Sequence, residues 1–91
     1  MRPKAANEEL SILCKALAHH VRVQILRLLR ERRCLCGDLV DALPVAQTTV
    51  SEHLRILKEA ALIMDEAEGP RCHYSVNQRL LEQLKALIAA L

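Results

Sequence analysis

The 91-residue sequence contains neither phenylalanine nor tryptophan, and Tyr74 is its only tyrosine. Its core must therefore be aliphatic, built from the abundant leucine, alanine, isoleucine and valine residues. Without further aromatic rings, the chain lacks the stacking platform on which proteins hold single-stranded bases. The composition thus argues against a single-strand-binding protein.

Glycine is also scarce, since Gly37 and Gly69 are the only two in the chain. Two isolated glycines cannot form a phosphate-cradling loop, and no nucleophile has a visible base and orienting partner, so we predict that the protein is not an enzyme. No segment approaches the roughly 18 apolar residues of a membrane span, and the first residues show no signal-peptide core. We therefore expect a cytoplasmic protein that does not enter a membrane.

The length of the chain predicts one domain over residues 1–91. A chain this short buries only about 60 to 70% of the surface exposed by its unfolded form, so a second subunit would add stability. The formal charge of +2 is mildly basic, which permits a nucleic-acid surface without requiring one.

Residue spacing predicts the order of the elements, because helices repeat their apolar residues every three or four positions and strands alternate. Two helices carry the stripes of residues 10–17 and 21–29, and a brief strand follows at 32–36. A short helix over 38–43, a longer one over 47–60, a hairpin of 62–65 with 72–76 and a final helix capped by Asn77 complete the chain. This order predicts a mainly α winged helix-turn-helix with a small antiparallel β wing.

The longer helix, QTTVSEHLRILKEA, has one apolar side and one side rich in hydrogen-bonding groups. Glutamine suits adenine and arginine suits guanine in the major groove, whereas the alternative is an ordinary solvated face. The helix-turn-helix order favours DNA. Arg71, beside the predicted wing turn, is expected to contact a phosphate or the minor groove. The predicted DNA-binding residues are Gln47, Thr48, Thr49, Ser51, Arg55 and Arg71.

Four cysteines are numerous for so short a chain. In a reducing cytoplasm they serve as free thiols, metal ligands or redox sensors rather than as a disulfide framework. Cys34 and Cys36 are two positions apart in the predicted strand, so they would share one face with Cα atoms about 6.6 Å apart and converge on one soft ion. Alternatively, the thiols are simply small buried hydrophobic groups.

Three segments resemble the ArsR/SmtB family of metal-responsive repressors: CKALAHHVRVQILRLL, CGDLVDALPVAQTTVSEHLRILKEAALI and GPRCHYSVN, in that order. The resemblance implies a homodimer formed by the first and last helices, a recognition helix over 47–59 and a wing over 65–71. It implies release of double-stranded DNA when an inducer binds. It also places the strand with Cys34 and Cys36 against the second wing strand, which carries Cys72.

The final helix supports the implied dimer, because its five leucines and one isoleucine between Leu80 and Leu91 exceed one narrow stripe. The predicted interface residues are Leu10, Leu13, Leu84 and Ile88. Cys14 falls within the first stripe and is expected in the core, although the family can use a first-helix thiol across the dimer.

The chain departs from the family's pattern at three places. His19 stands where the family commonly has aspartate before the second helix, and Ala46 stands where serine often caps the recognition helix. Gly37 displaces the cysteine pair by one residue, so the family's usual arsenite geometry cannot be copied across.

The leading hypothesis is a dimeric repressor in which Cys34, Cys36 and Cys72 bind arsenite as the inducer. A thiol redox or persulfide sensor is a second hypothesis, and a winged-helix protein-interaction module is a third. Zinc is the weaker inducer, because the four histidines lack the spacing of a familiar zinc motif and the last helix has no pair of histidine or aspartate.

Overall fold

The computed structural model describes residues 3–31 and 34–91, apart from the side chains of residues 3, 4, 34–36 and 68. The helices and strands follow the predicted order, which is confirmed. They are α1 (Pro3–Leu17), α2 (His20–Glu31), β1 (Cys34–Leu35), α3 (Cys36–Ala42), α4 (Gln47–Glu59), β2 (Ile63–Glu68), β3 (Arg71–Val76) and α5 (Gln78–Ala89). None of the helices in the described ranges is long and apolar enough to cross a membrane.

Aliphatic side chains fill the core, as the composition requires. Ile25 of α2, Leu39 of α3 and Val50 of α4 have no exposed surface, and Leu57 of α4 is equally buried. Full burial of a side chain of this size contributes about 1.5 to 3 kcal/mol, so these residues hold the three helices together. Against them pack α1 and the strands.

The three strands form one sheet in the order β1-β3-β2, with both pairs antiparallel. Strands β2 and β3 form the predicted wing, in which Glu68 pairs with Arg71 across the turn at Gly69 and Pro70. Gly69 has a φ of +61°, which glycine adopts without a steric penalty and which a tight hairpin turn needs. The other edge of β3 carries β1, as the family resemblance implies.

The recognition helix α4 begins without a side-chain cap, because Ala46 offers no hydrogen-bond acceptor there. Its other end is a Schellman motif. The N–H of Leu62 donates to the carbonyl of Leu57 at 3.0 Å, and the N–H of Ala61 donates to that of Lys58 at 2.9 Å. Ala61 has a φ of +63°, a conformation in which its Cβ is crowded.

Asn77 connects this helix end to α5. Its side-chain oxygen accepts from the N–H of Leu80 at 3.2 Å, so it caps α5 as predicted. Its side-chain nitrogen donates to the carbonyl of Ala61 at 2.9 Å, and its backbone N–H donates to that of Leu62 at 2.9 Å. One residue thus joins the end of the recognition helix to the start of the last helix.

The prediction that Cys34 and Cys36 share one strand face is wrong. Among the described residues, strand β1 covers Cys34 and Leu35, and α3 begins at Cys36 rather than at Asp38. Asp38 lies in the first turn of α3, where a negative charge stabilises the start of a helix. Cys36 is therefore the first residue of α3 and does not belong to the strand that contains Cys34.

Two of the predicted interface residues need correction. Leu13 and Leu84 are only 3% and 2% exposed in the single chain, because α1 and α5 pack with these side chains turned into the core. Little of their surface remains for another chain to cover. Leu10 is half-buried, whereas Ile88 is 47% exposed. Cys14 is also exposed and does not belong to the core, contrary to expectation.

The crowded Ala61 provides a stability prediction. Ala61→Gly removes the Cβ from a left-handed conformation, and this gain exceeds the entropy that glycine adds to the unfolded chain, so the free energy of unfolding should rise by about 0.5 to 1 kcal/mol. Thermal unfolding at fixed protein concentration should show a higher Tm.

Ala60→Gly is the matched control, because Ala60 is in the ordinary helical region with a φ of −80°. Glycine there relieves no crowding and should lower the Tm. A lower Tm for both variants would contradict the role given to the backbone of Ala61.

Candidate nucleic-acid interface

The predicted polar face of α4 is exposed to solvent. Val50, Leu54 and Leu57 turn toward the core and are at most 3% exposed, which leaves the remaining side of the helix outside. Arg71 beside the wing turn is exposed. All the predicted DNA-contacting residues of α4 are exposed as well: Gln47, Thr48, Thr49, Ser51 and Arg55.

A cleft of about 220 Å³ separates this face from the wing. Ser51, Arg55 and Lys58 of α4 line it together with Tyr74 of β3. Lys58 donates to a carboxylate oxygen of Asp65 in β2 at 2.7 Å, which ties α4 to the wing. This hydrogen bond raises the pKa of Lys58 and lowers the pKa of Asp65, so both stay charged at neutral pH.

Arg55 lies between two carboxylates of its own helix. Its Nε donates to Glu52 at 3.0 Å, its Nη2 donates to the same carboxylate, and its Nη1 donates to Glu59 at 2.7 Å. The hydrogen bond from Arg55 lowers the pKa of Glu52, and the two carboxylates raise the pKa of Arg55. All three side chains are more than half exposed.

A polar contact beneath α4 joins it to α2. His53 is 7% exposed, and its Nδ1 is 3.2 Å from Nη1 of Arg22. Because arginine can only donate, Nδ1 accepts and the neutral ring carries its proton on Nε2. That Nε2 has no hydrogen-bond partner among the described residues.

Burial lowers the pKa of His53, and nearby His19, Arg22 and His20 lower it further, while Glu52 opposes them. The rings of His19 and His53 are 4.3 Å apart between centroids, and those of His19 and His20 are 4.8 Å apart. Protonation of His53 would therefore place a second positive charge in a buried site beside the guanidinium of Arg22. The structure favours the neutral ring.

His19 compensates for the aspartate missing before α2. Its Nδ1 accepts from the N–H of Val21 at 3.1 Å, which caps the start of the helix as an aspartate oxygen would. Arg22 also donates from Nε to the carbonyl of Ala16 at 2.7 Å, at the end of α1. The α1–α2 junction and the recognition helix thus share one polar cluster.

The thiols lie on neighbouring elements. Cys34 pairs with Tyr74 across the β1–β3 ladder, and Cys72 is two residues from Tyr74 on β3, half-buried and free. Asp65 makes the largest contribution to the raised pKa of Lys58, and Cys72 makes a smaller one. The side chains of Cys34 and Cys36 lie outside the described residues, and the described side chains alone contain no group of three or more that could hold a metal ion.

A sequence model of the bacterial regulatory protein arsR family matches residues 19–64, which include α2, α3, α4 and the start of the wing. The chain belongs to the ArsR family. The HTH-type transcriptional repressor SmtB of Mycobacterium tuberculosis is 45% identical to it over 62 residues, which cover 68% of this chain and 46% of that repressor. This chain therefore matches about half the length of that relative.

Other ArsR-family relatives extend the likeness. An arsenical resistance operon repressor of Escherichia coli is 37% identical over 70 residues, 75% of this chain and 59% of that protein. A homodimeric winged helix-turn-helix DNA-binding domain from Mycobacterium bovis, a possible ArsR-family transcriptional regulator, superposes with a TM-score of 0.80. It is 30% identical, and the alignment covers 98% of this chain and 82% of that one. The winged helix-turn-helix fold is thereby confirmed.

Sequence reasoning missed three features of this ArsR-family chain. The contact between Arg22 and His53 joins residues 31 positions apart, so no local pattern reveals it. Glu52 and Glu59 stand three and four positions from Arg55, a helical spacing that does predict ion pairs. Ile12 of α1 is 60% exposed. It lies just outside the predicted apolar stripe of this helix, and that position is the sequence signal for an exposed apolar side chain.

Acid should destabilise the protein partly through His53. Its pKa is lowered from 6.5 by folding, so the neutral ring contributes stability above about pH 6.5 that is lost as the pH falls through the lowered value. His53→Gln keeps an acceptor for Arg22 but cannot titrate. The free energy of unfolding, measured with urea at about pH 7.5 and about pH 5.5, should therefore fall less in this variant than in the wild type. Equal losses would show that His53 does not carry the acid sensitivity.

Proposed function

We propose that this protein is a dimeric, DNA-binding transcriptional repressor that releases its operator when a ligand binds its thiols. The observation that carries the proposal is the exposed polar face of α4 beside the wing, on a fold whose relatives include named transcriptional repressors. In this proposal α4 enters the major groove, and Gln47, Thr48, Thr49 and Ser51 join Arg55 in contacting base edges or phosphates. Arg71 contacts the backbone from the wing.

The proposed dimer uses the outer surfaces of α1 and α5. Ile12 and Ile88 are 60% and 47% exposed there, and Leu91 beyond α5 is 92% exposed, so large apolar side chains remain uncovered in the single chain. Half-buried Leu10 lies on the same helix as Ile12. In the proposed dimer the two copies of α4 must reach successive major grooves, which lie about 34 Å apart.

Charges placed on this surface should separate the subunits without unfolding them. Ile88→Glu, and more strongly Ile12→Glu with Ile88→Glu, should give folded monomers, because both side chains are exposed in the single chain. Sedimentation equilibrium measures the association, and circular dichroism checks the helical content.

Met64→Glu on the wing is the matched control, since Met64 is 45% exposed but lies on β2. This variant should remain a dimer. A double variant of Ile12 and Ile88 that is still fully dimeric would place the interface elsewhere.

The proposed inducer is a soft trivalent metalloid such as arsenite, which thiolates suit. Two observations support it: β1 lies beside the strand that carries Cys72, and some relatives are named arsenical resistance operon repressors. Bound by three cysteines, arsenite exchanges three As–O bonds for three As–S bonds and releases three water molecules without a redox change. The protein acts in a cytoplasm that keeps these thiols reduced.

The start of α3 at Cys36 supports a proposed route from inducer to DNA. Cys36 is the first residue of α3, and α3 packs directly on α4. Drawing Cys34 and Cys36 toward Cys72 would therefore pull on the first helix of the helix-turn-helix pair. A hundredfold loss of operator affinity needs about 2.7 kcal/mol of coupling. The inducer supplies it by binding the shifted arrangement about a hundredfold more tightly than the DNA-binding arrangement.

Operator release under reducing conditions tests the inducer. A duplex selected by the wild type from a random-sequence library serves as probe, and arsenite should release the wild type from it. Cys34→Ser, Cys36→Ser and Cys72→Ser should still bind the duplex but resist arsenite.

Cys14→Ser is the matched control and should respond like the wild type, because Cys14 is an exposed thiol on α1, apart from the sheet. Undiminished release in both Cys34→Ser and Cys36→Ser would exclude the metalloid site. Release by an oxidant alone would support the redox alternative, and release by zinc alone would point to different ligands.

A further inference from the structure

Both cations of the recognition helix are held by carboxylates. Lys58 donates to Asp65 at 2.7 Å, and Arg55 donates to Glu52 and Glu59. Arg55 and Lys58 are the only lysine or arginine residues of α4. The helix expected to enter the DNA therefore presents no cation that is free of a carboxylate.

The Arg55 group carries a net negative charge, since one guanidinium lies between Glu52 and Glu59. A phosphate approaching it would meet two carboxylates and gain little attraction. A guanine edge is neutral, so the same carboxylates repel it far less. This arrangement favours base reading over phosphate binding by Arg55.

The geometry also orients the guanidinium. Glu52 accepts from both Nε and Nη2, a two-point contact that favours one orientation of the group, and Glu59 accepts from Nη1. An arginine has five N–H groups, so these three contacts leave one on each Nη nitrogen. Guanine O6 and N7 together need two N–H groups, and Arg55 retains that number.

We propose that Glu52 is a specificity-determining residue: it positions Arg55 to read guanine in the major groove and repels phosphates from the same place. The proposal rests on the proposed function, in which α4 enters DNA. Glu52 makes no contact with the guanine and acts through Arg55. Its second effect is to weaken binding to DNA of the wrong sequence.

The ion pair of Arg55 with Glu52 contributes little to the stability of the fold. The side chains of Arg55 and Glu52 are 53% and 55% exposed, and pairs this exposed typically add little to the free energy of unfolding. Glu52→Gln should therefore fold like the wild type, which makes it a clean probe of specificity.

The test compares full-length wild type, Glu52→Gln, Arg55→Ala and the double variant on duplexes. The wild type first selects a sequence from a random duplex library, and each G·C pair of that sequence is then replaced by A·T. Arg55→Ala should lose roughly five- to 150-fold of discrimination at one base pair in each half-site, the range for a bidentate contact. Glu52→Gln should lose discrimination at the same pair and bind a mixed-sequence duplex severalfold more tightly.

The double variant separates positioning from direct reading. If Glu52 acts through Arg55, its replacement changes no base preference once Arg55 is alanine. Independent effects of the two replacements, or a preference lost at a different base pair, would mean that Glu52 reads a base itself and would overturn the proposal.

Glu82→Gln is the matched control, because Glu82 is an exposed carboxylate of α5 that pairs with Lys85 three residues away at 3.3 Å. It makes the same charge change outside α4 and should leave the base preference unaltered. An unchanged preference in Glu52→Gln, with a sequence still selected by the wild type, would overturn this inference alone. Failure of the wild type to select any sequence would overturn the proposed function and this inference with it.

Discussion

Burial of the apolar side of α4 is the interaction on which the rest of the structure depends. Val50, Leu54 and Leu57 pack into the aliphatic core, where none of them is more than 3% exposed. This burial sets the rotation of the helix about its axis, so it also determines which side chains face outward. The polar face is exposed because the opposite side is anchored, and its positions follow from helical spacing alone.

Both ends of α4 show how the protein compensates for residues that are unfavourable locally. Ala46 leaves the start without a cap, and Ala61 adopts a crowded left-handed conformation at the end. Tertiary contacts offset these costs: Leu62 is fully buried after the turn, and Asn77 donates to the carbonyl of Ala61. The same asparagine caps α5, so the recognition helix and the proposed dimer helix are joined through one side chain.

The exposed charges of α4 contribute less to stability than its buried apolar side chains do. Exposed ion pairs add little to stability. On the outer face of α4 they engage three of the five N–H groups of Arg55. Beneath the same helix, the buried pair of Arg22 and His53 connects the start of α2 to α4, and it relies on a neutral histidine. Helix α4 is thus anchored by apolar burial and joined to α2 by a buried polar contact, and its two surface cations are paired with carboxylates.

The sequence by itself determined the order of the elements, the aliphatic core, the start of α4 at Gln47, the Asn77 cap and the family, because these follow from local spacing and residue type. It predicted the exposed polar face for the same reason. Only the tertiary structure decided that Leu13 and Leu84 belong to the core of one chain, that Cys14 is outside and that α3 begins at Cys36. Those outcomes depend on which neighbour covers each side of a helix, and on whether a strand or a helix start is more stable over a few residues. Local periodicity cannot decide either, since both depend on residues distant in the chain.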